Sequence, residues 1–233
     1  MTDWQAVIDG SWPAERMVTE GPWTLRVTPG AGGRVNAISG DAPDAVEAGE
    51  AMAHAAGIRP SFVIWPEQAA LDAALAARNY GIEDAVHIYV GDPATLAGDT
   101  LPHATAFTVW PPLRIMRDIW AEGGIGPARQ AVMDRAGRAT ALLGRAKDRA
   151  AGVGFVSAHG DTAMIHALEV LPRFRRQGVG GTILRAAAHW AQSEGCRQLS
   201  LVVTRGNAGA NALYASKGMD RVEGYHYRRH PDP

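Results

Sequence analysis

The chain has a single cysteine, Cys196, among 233 residues, a formal net charge of only −1, and no apolar run that approaches the length of a membrane span. Each scarcity excludes something. One cysteine rules out an internal disulfide framework and a cysteine-rich metal site, and Cys196, beside the end of a helix-like stretch, reads as a small packed apolar residue. Balanced charge supplies no global field to draw DNA, RNA or an anionic membrane, so neither nucleic acid nor lipid is expected as a partner. The opening MTDWQAVIDGSWPAE lacks a basic, apolar leader, which leads us to expect a cytoplasmic protein. The histidines show no metal-ligand spacing and no Gly-x-Ser-x-Gly elbow occurs, so neither a metal nor a hydrolase serine is expected.

What the chain does have is 46% apolar and 20% charged residues, enough to bury a sizeable core in one large domain or two small ones. Its seven tryptophans are scattered, which suits packing rather than a single ligand cage. Basic residues cluster locally at Arg173, Arg175 and Arg176 and at Arg228 and Arg229, a distribution suited to a small polyanion.

The most informative segment is Arg175-Arg176-Gln177-Gly178-Val179-Gly180-Gly181-Thr182, between a strand-like MIHALEV ending at Val170 and a helix-like ILRAAAHWAQSEG. Glycines remove the Cβ atoms that would keep backbone from a phosphate, and the helix after them offers free N–H groups and its positive dipole end. A dinucleotide fingerprint needs glycine where Ile183 stands, and a P-loop needs a closing Gly-Lys-Ser/Thr that is absent. The remaining pattern, Arg-x-x-Gly-x-Gly after a strand and Pro172, resembles the coenzyme A loop of the GNAT superfamily of acyl-CoA N-acyltransferases. The order of the downstream segments strengthens the resemblance: a helix, the strand QLSLVVT, then Asn207, Asn211, Ala212-Leu213-Tyr214 and Lys217-Gly218-Met219. It covers roughly residues 105 to 230.

The resemblance implies an α/β (α+β) fold with a mixed, mostly antiparallel sheet flanked by helices, its fourth and fifth strands splayed around the coenzyme site. It implies acetyl-CoA as cosubstrate, without a metal, and direct transfer of the acetyl group to an amine of a small molecule or peptide. Backbone of Leu168, Glu169 and Val170 would then bind the pantetheine and thioester oxygen. The N–H groups from Arg176 to Thr182 would take the pyrophosphate, with Arg175 and Arg176 adding charge, and Asn207 would bond the pantetheine arm while capping its helix. Tyr214 would be the general acid, since a phenol with a reference pKa near 10 stays protonated at neutral pH. Glu169 is the leading general base; His166, Asp118, Glu122 or a water chain are alternatives, and the fifth-strand glutamate of some relatives is replaced by apolar residues around Val202. Acceptor specificity would lie in the helix pair spanning residues 115 to 136 and in a final hairpin, VEGYHYRR. The competing readings are a non-catalytic acyl-CoA sensor and a site for another phosphorylated ligand. Whether two chains pair as a homodimer stays open.

Laying the chain on itself with a shift of 139 residues aligns PSFVIWPEQAALDAALAARNY with LSLVVTRGNAGANALYASKGM without a gap. Two tandem copies of one unit are therefore expected, as domains 1–95 and 103–233 joined through the Gly-, Pro- and Asp-rich GDPATLAGDTLPHA. The first copy has Asn36 to Pro43 where the second has RRQGVGGT, Gln68 for Asn207 and Leu75 for Tyr214. It reads as a degenerate GNAT-like domain without a coenzyme loop. Its periodicities predict strands near 23–28, 34–38, 60–65 and 85–90 and helices near 44–56 and 67–78. The second copy should hold a strand from about residue 105, a broken helix pair, a three-stranded meander turning at Lys147-Asp148 and His159-Gly160-Asp161, and then the glycine-rich loop with its helix and the strand QLSLVVT.

Overall fold

The computed structural model describes residues 2–231. The chain opens with α1 (Trp4–Ser11). The first copy lays down β1 (Arg16–Glu20), β2 (Trp23–Val27), β3 (Ile38–Ser39), α2 (Val46–Ala55), β4 (Ser61–Ile64), α3 (Ala69–Ala77), β5 (Gly81–Glu83) and β6 (Val86–Gly91). After α4 (Pro93–Ala97) come β7 (Ala106–Val109), α5 (Arg114–Glu122), α6 (Pro127–Arg135), β8 (Arg138–Ala146), β9 (Arg149–His159) and β10 (Thr162–Val170). The chain continues with α7 (Val179–Ser193), β11 (Gln198–Thr204), α8 (Ala208–Ser216), β12 (Asp220–Glu223) and β13 (His226–Arg229). No helix among the described residues is long and apolar enough to cross a membrane.

Two mixed sheets result, in the orders β1-β2-β3-β4-β13-β5 and β12-β6-β11-β10-β9-β8-β7. They are one topology written twice. Read from the β8 side, the second sheet runs β8-β9-β10-β11-β6-β12, with β7 added at its edge, and the parallel pair β3–β4 has its counterpart in the parallel pair β10–β11. The 139-residue shift carries β4 onto β11, β5 onto β12 and β6 onto β13. The last strand of each copy therefore pairs in the sheet of the other copy.

This exchange decides the compact units. One gathers the residues up to Pro13, Ile88–Val203 and Asn207–Val222; the other gathers Ala14–His87, Thr204–Gly206 and the residues from Glu223 onward. A division between residues 95 and 103 does not coincide with these edges, because α4 occupies Pro93–Ala97 and the exchanged strands lie on either side of it in sequence. VEGYHYRR is likewise no hairpin, since β12 and β13 belong to different sheets.

In the unit begun at Ala14, the alternation of β2 and the apolar run of β4 bury Trp23, Leu25, Phe62 and Ile64 against Val46, Leu71 and Leu75 of the helical layer and against Tyr80, which follows α3. Trp23 donates its indole N–H to the Ala45 carbonyl at 2.9 Å, so no polar atom of this wholly buried ring is wasted. Truncating it to alanine would cost about 3–5 kcal/mol. β13 is tied into this unit by charge as well as by its ladder. Arg228 reaches Asp72 at 2.7 Å, His226 reaches the same carboxylate at 2.8 Å, and Arg229 pairs with Glu83 and Asp84. The arginines at 228 and 229 are thus structural cations with carboxylate partners and do not form a polyanion site.

In the other unit, α7 is seated by glycines. Cβ atoms at Gly144, Gly152 and Gly154 would each fall within 2.8–3.2 Å of Val179 or Ile183 side chains or of the Glu169 carbonyl. Their absence lets the first turns of α7 settle onto β8 and β9 next to the end of β10. α1 packs on β9 and β10, where Ser11 hydrogen-bonds His166 at 3.0 Å and Trp12 stacks on that imidazole at 4.9 Å.

Candidate active site

The site begins with a failure of pairing. β10 and β11 are in parallel register only from Thr162/Gln198 to Ile165/Leu201, so beyond Ile165 the two strands part. Across β10 on its other side, the register with β9 jumps from His166/Phe155 to Glu169/Val153, which leaves Ala167 and Leu168 as a bulge with one residue too many. Ala167 takes the left-handed conformation, φ 50°, that an alanine rarely adopts. A splay and a bulge side by side free backbone polar groups from the ladder at one place on the sheet.

The loop after β10 brings charge and amides there. Arg176 and Gly178 are both left-handed, at φ 62° and 83°. Gly178 precedes α7, whose first intrahelical bond runs from Thr182 N to the Gly178 carbonyl at 3.0 Å, and no side chain caps the helix. The amides of Val179, Gly180 and Gly181 are thus left for a ligand at the positive end of a 15-residue helix. Arg176, Gln177 and Gly178 are exposed, while Val179 is buried and anchors the turn.

The glycines have different reasons. A Cβ at Gly178 would meet nothing within 4 Å, and its positive φ is what demands glycine. A Cβ at Gly180 would stand 3.1 Å from Leu213 and 4.0 Å from both Leu168 and Val170; one at Gly181 would stand 3.1 Å from Lys217 Cε. Gly180 is therefore the point at which α7, α8 and the end of β10 converge. The sequence pattern treats all three glycines as phosphate-facing, whereas two of them admit α8.

α8 starts at Asn207, whose side chain accepts the Ala210 N–H at 3.1 Å, a plain N-cap bond. Tyr214 lies two turns on, buried at 6% exposure, and burial pushes its hydroxyl up to about 12. That hydroxyl has no hydrogen-bond partner among the described residues, although its ring is packed 5.5 Å from the ring of Tyr89. Tyr89, on the exchanged strand β6, donates its own hydroxyl to Asn211 at 3.2 Å. The 139-residue shift maps Tyr89 onto Arg228 and Asn211 onto Asp72, so the strand-to-helix clamp recurs in both units with different chemistry. The repeat alignment carried that signal; Asn211 stands among the residues of the family resemblance, whereas Tyr89 does not.

Among the candidate bases, Glu169 lies nearest the bulge. Its carboxylate meets Arg175 at 3.1 Å and its Cγ would be 2.5 Å from a Cβ on Gly123. Arg175 also donates to the Val170 carbonyl at 3.0 Å, so this guanidinium closes the end of β10. His166 is buried against Ser11 and Trp12, Asp118 is exposed with Arg114 at 3.9 Å, and Glu122 is exposed. Among the described residues no three His, Cys, Asp or Glu side chains group as metal ligands. A groove of about 530 Å³, lined by Thr100, Leu101, Thr108, His189 and Trp190, lies against the last turns of α7, not its first. In the first copy Leu75 is core, and Gln68 spends its side chain on the Trp65 N–H and the Gly40 carbonyl.

A family model described as the acetyltransferase (GNAT) family matches residues 113–219. An aminoglycoside N(6')-acetyltransferase type 1 from Klebsiella aerogenes is 32% identical over 63 residues, 27% of this chain and 41% of that protein, so the match spans less than half of the curated relative. A solved GCN5-related N-acetyltransferase from Kribbella flavida shares the fold with a TM-score of 0.74, over 94% of this chain and 91% of its own, at 18% identity. A tandem GNAT protein from the clavulanic acid biosynthesis pathway does so with a TM-score of 0.57, over 81% and 69%, at 15% identity. The two structures speak for the architecture alone, a tandem fold of that kind; by the family match, residues 113–219, which include the loop and α8, belong to the acetyltransferase (GNAT) family.

Proposed function

We propose that the protein is an acetyl-CoA-dependent N-acetyltransferase that moves the acetyl group directly to a primary amine of a small molecule or, second, of a peptide. The observation that carries this reading is the convergence at Gly180. Unpaired amides, the end of the bulged strand and the helix of Tyr214 meet there, and an elongated ligand with an anionic end and an acylated end would use all three.

The amides from Arg176 to Thr182 and the Arg176 guanidinium hold the pyrophosphate. The backbone of Leu168 and Val170 lines the pantetheine arm, with Asn207 at the start of α8 beside it. Arg175 acts at one remove, by fixing the strand end and the Glu169 carboxylate. Bound acetyl-CoA supplies the activated acyl group. Glu169 takes the proton of the attacking amine, directly or through water, and the free Tyr214 hydroxyl returns a proton to the departing sulfur. The relative named for aminoglycosides supports starting the acceptor screen with aminoglycosides.

Isothermal titration of acetyl-CoA is the test, followed by detection of free thiol with a panel of amines. One site per chain and amine-dependent thiol release are expected. No binding overturns the reading of RRQGVGGT, and binding without turnover on any amine replaces the enzyme with an acyl-CoA sensor.

A further inference from the structure

The indole of Trp120 presents a buried polar group with an unusual partner. The side chain is 0% exposed, and its Nε1 donates at 2.8 Å to the carbonyl of Ala167, the left-handed residue inside the β10 bulge. That carbonyl is thereby taken out of the β9–β10 ladder and held by a helix. The helix end is itself fixed. Ile125 N donates to the Trp120 carbonyl at 2.8 Å across the left-handed Gly124, and the buried Gln130 amide donates to the carbonyls of Arg117 and Ile125 at 3.0 and 2.9 Å. One residue past α5, the bare Cα of Gly123 leaves room for Glu169, on the other side of the bulge.

We propose that the C-terminal end of α5 positions the acyl carbonyl of the bound thioester, with Trp120 as the positioning residue. By holding the Ala167 carbonyl, Trp120 fixes the peptide planes of the bulge, where the backbone of Leu168 is out of register with β9 and left for the ligand. Gly123 keeps the Glu169 side chain from pushing the bulge back. The inference rests on the acetyl-CoA reading and adds to it a residue outside the loop-and-tyrosine motif. A donor lost here leaves a buried carbonyl unsatisfied and free to rotate toward another partner, which misplaces the amides next to it.

The test compares acetyl-CoA with CoA, which lacks the acyl carbonyl. Trp120→Phe keeps an aromatic ring and removes the N–H; Gly123 lies on an exposed turn, and Gly123→Ala pushes from the other side by placing a Cβ 2.5 Å from Glu169 Cγ. Both variants are titrated with each ligand, and kcat and KM are measured at saturating amine. We expect the Kd for CoA to stay within about twofold of wild type, the Kd for acetyl-CoA to rise about 5- to 10-fold, and kcat to fall about 10- to 100-fold. Equal losses for both ligands, or an unchanged ratio with unchanged kcat, overturn the inference and leave Trp120 as core packing. If Trp120→Phe does not fold, Gly123→Ala decides on the same ratio. Wild type that binds neither ligand overturns the coenzyme reading itself, and this inference with it.

Discussion

Replacing Tyr214 by phenylalanine isolates one oxygen atom. The ring is buried and packed on Tyr89, and phenylalanine keeps that packing. The hydroxyl removed has no hydrogen-bond partner among the described residues, so its loss breaks no bond within the fold. Stability should therefore change by less than about 0.5 kcal/mol. Turnover should not be spared. A positioned general acid contributes roughly 10²–10⁴ in rate, and kcat should fall by that factor, or about 2.7–5.4 kcal/mol in the barrier. The Kd for acetyl-CoA should hold.

The pH dependence sharpens the test. With the hydroxyl pushed up to about 12, burial favours the neutral, proton-carrying form. At pH 10.5 about 97% of such a phenol is still protonated, against about a quarter of one at its reference value near 10. The alkaline limb of kcat should thus be flat to about pH 10.5 wherever the fold survives. Donation from such a phenol to a sulfur whose solution value is about 8.5 is uphill. The assay is thiol release in wild type and Tyr214→Phe from pH 7 to 10.5, alongside thermal melting and an acetyl-CoA titration. A variant with wild-type kcat refutes the acid role; one that melts far lower refutes the claim that the hydroxyl is structurally idle.

Three further outcomes are expected. Glu169→Gln should lower kcat about tenfold or more and alter its pH profile; unchanged turnover and profile would remove Glu169 from the mechanism. The Arg228 and His226 bonds lower the Asp72 carboxyl in the folded state, chiefly through Arg228, so its stabilisation is whole above about pH 4 and is lost as pH falls through the folded value. Asp72→Asn should cost about 1–2 kcal/mol at pH 7, allowing for partial exposure, and should flatten urea midpoints between pH 4 and 2; a midpoint in the variant that still falls as steeply would exclude Asp72 as the source. Deleting the residues from Gly224 onward removes the strand between β4 and β5, and circular dichroism and dye binding should report a disordered first copy. A truncated chain with a native spectrum would refute the dependence on β13.

The sequence showed local structure well and exchange not at all. β2, β4, β6, α2 and α3 fall where alternation and helical period predict, as does the meander, whose turn residues Lys147 and Asp148 are both left-handed. The strand expected at 34–38 is instead a 3-10 turn at Gly33–Val35 followed by the two-residue β3, because Asn36 spends its side chain on Thr28 and Gly32 rather than continuing a ladder. α4 was hidden in a linker-like composition, although Asp92 caps it and Pro93 starts it. Strand exchange leaves no periodic trace, since β6 and β13 look alike whichever sheet receives them. At the site, the loop and Tyr214 were legible as a motif. The Trp120–Ala167 bond and the Arg175–Glu169 pair were not, because each depends on a neighbour that only the fold brings near.

The exchanged strands also set a timetable for biosynthesis. A sheet whose first strand is made at Arg16 stays open between β4 and β5 until Arg229 has been synthesised, so the second copy is translated before the first can close. Contacts of that sequence separation form slowly, and an unpaired strand edge waiting on the ribosome is a template for aggregation. A transcript cut short anywhere in the second copy would yield two incomplete sheets rather than one finished half.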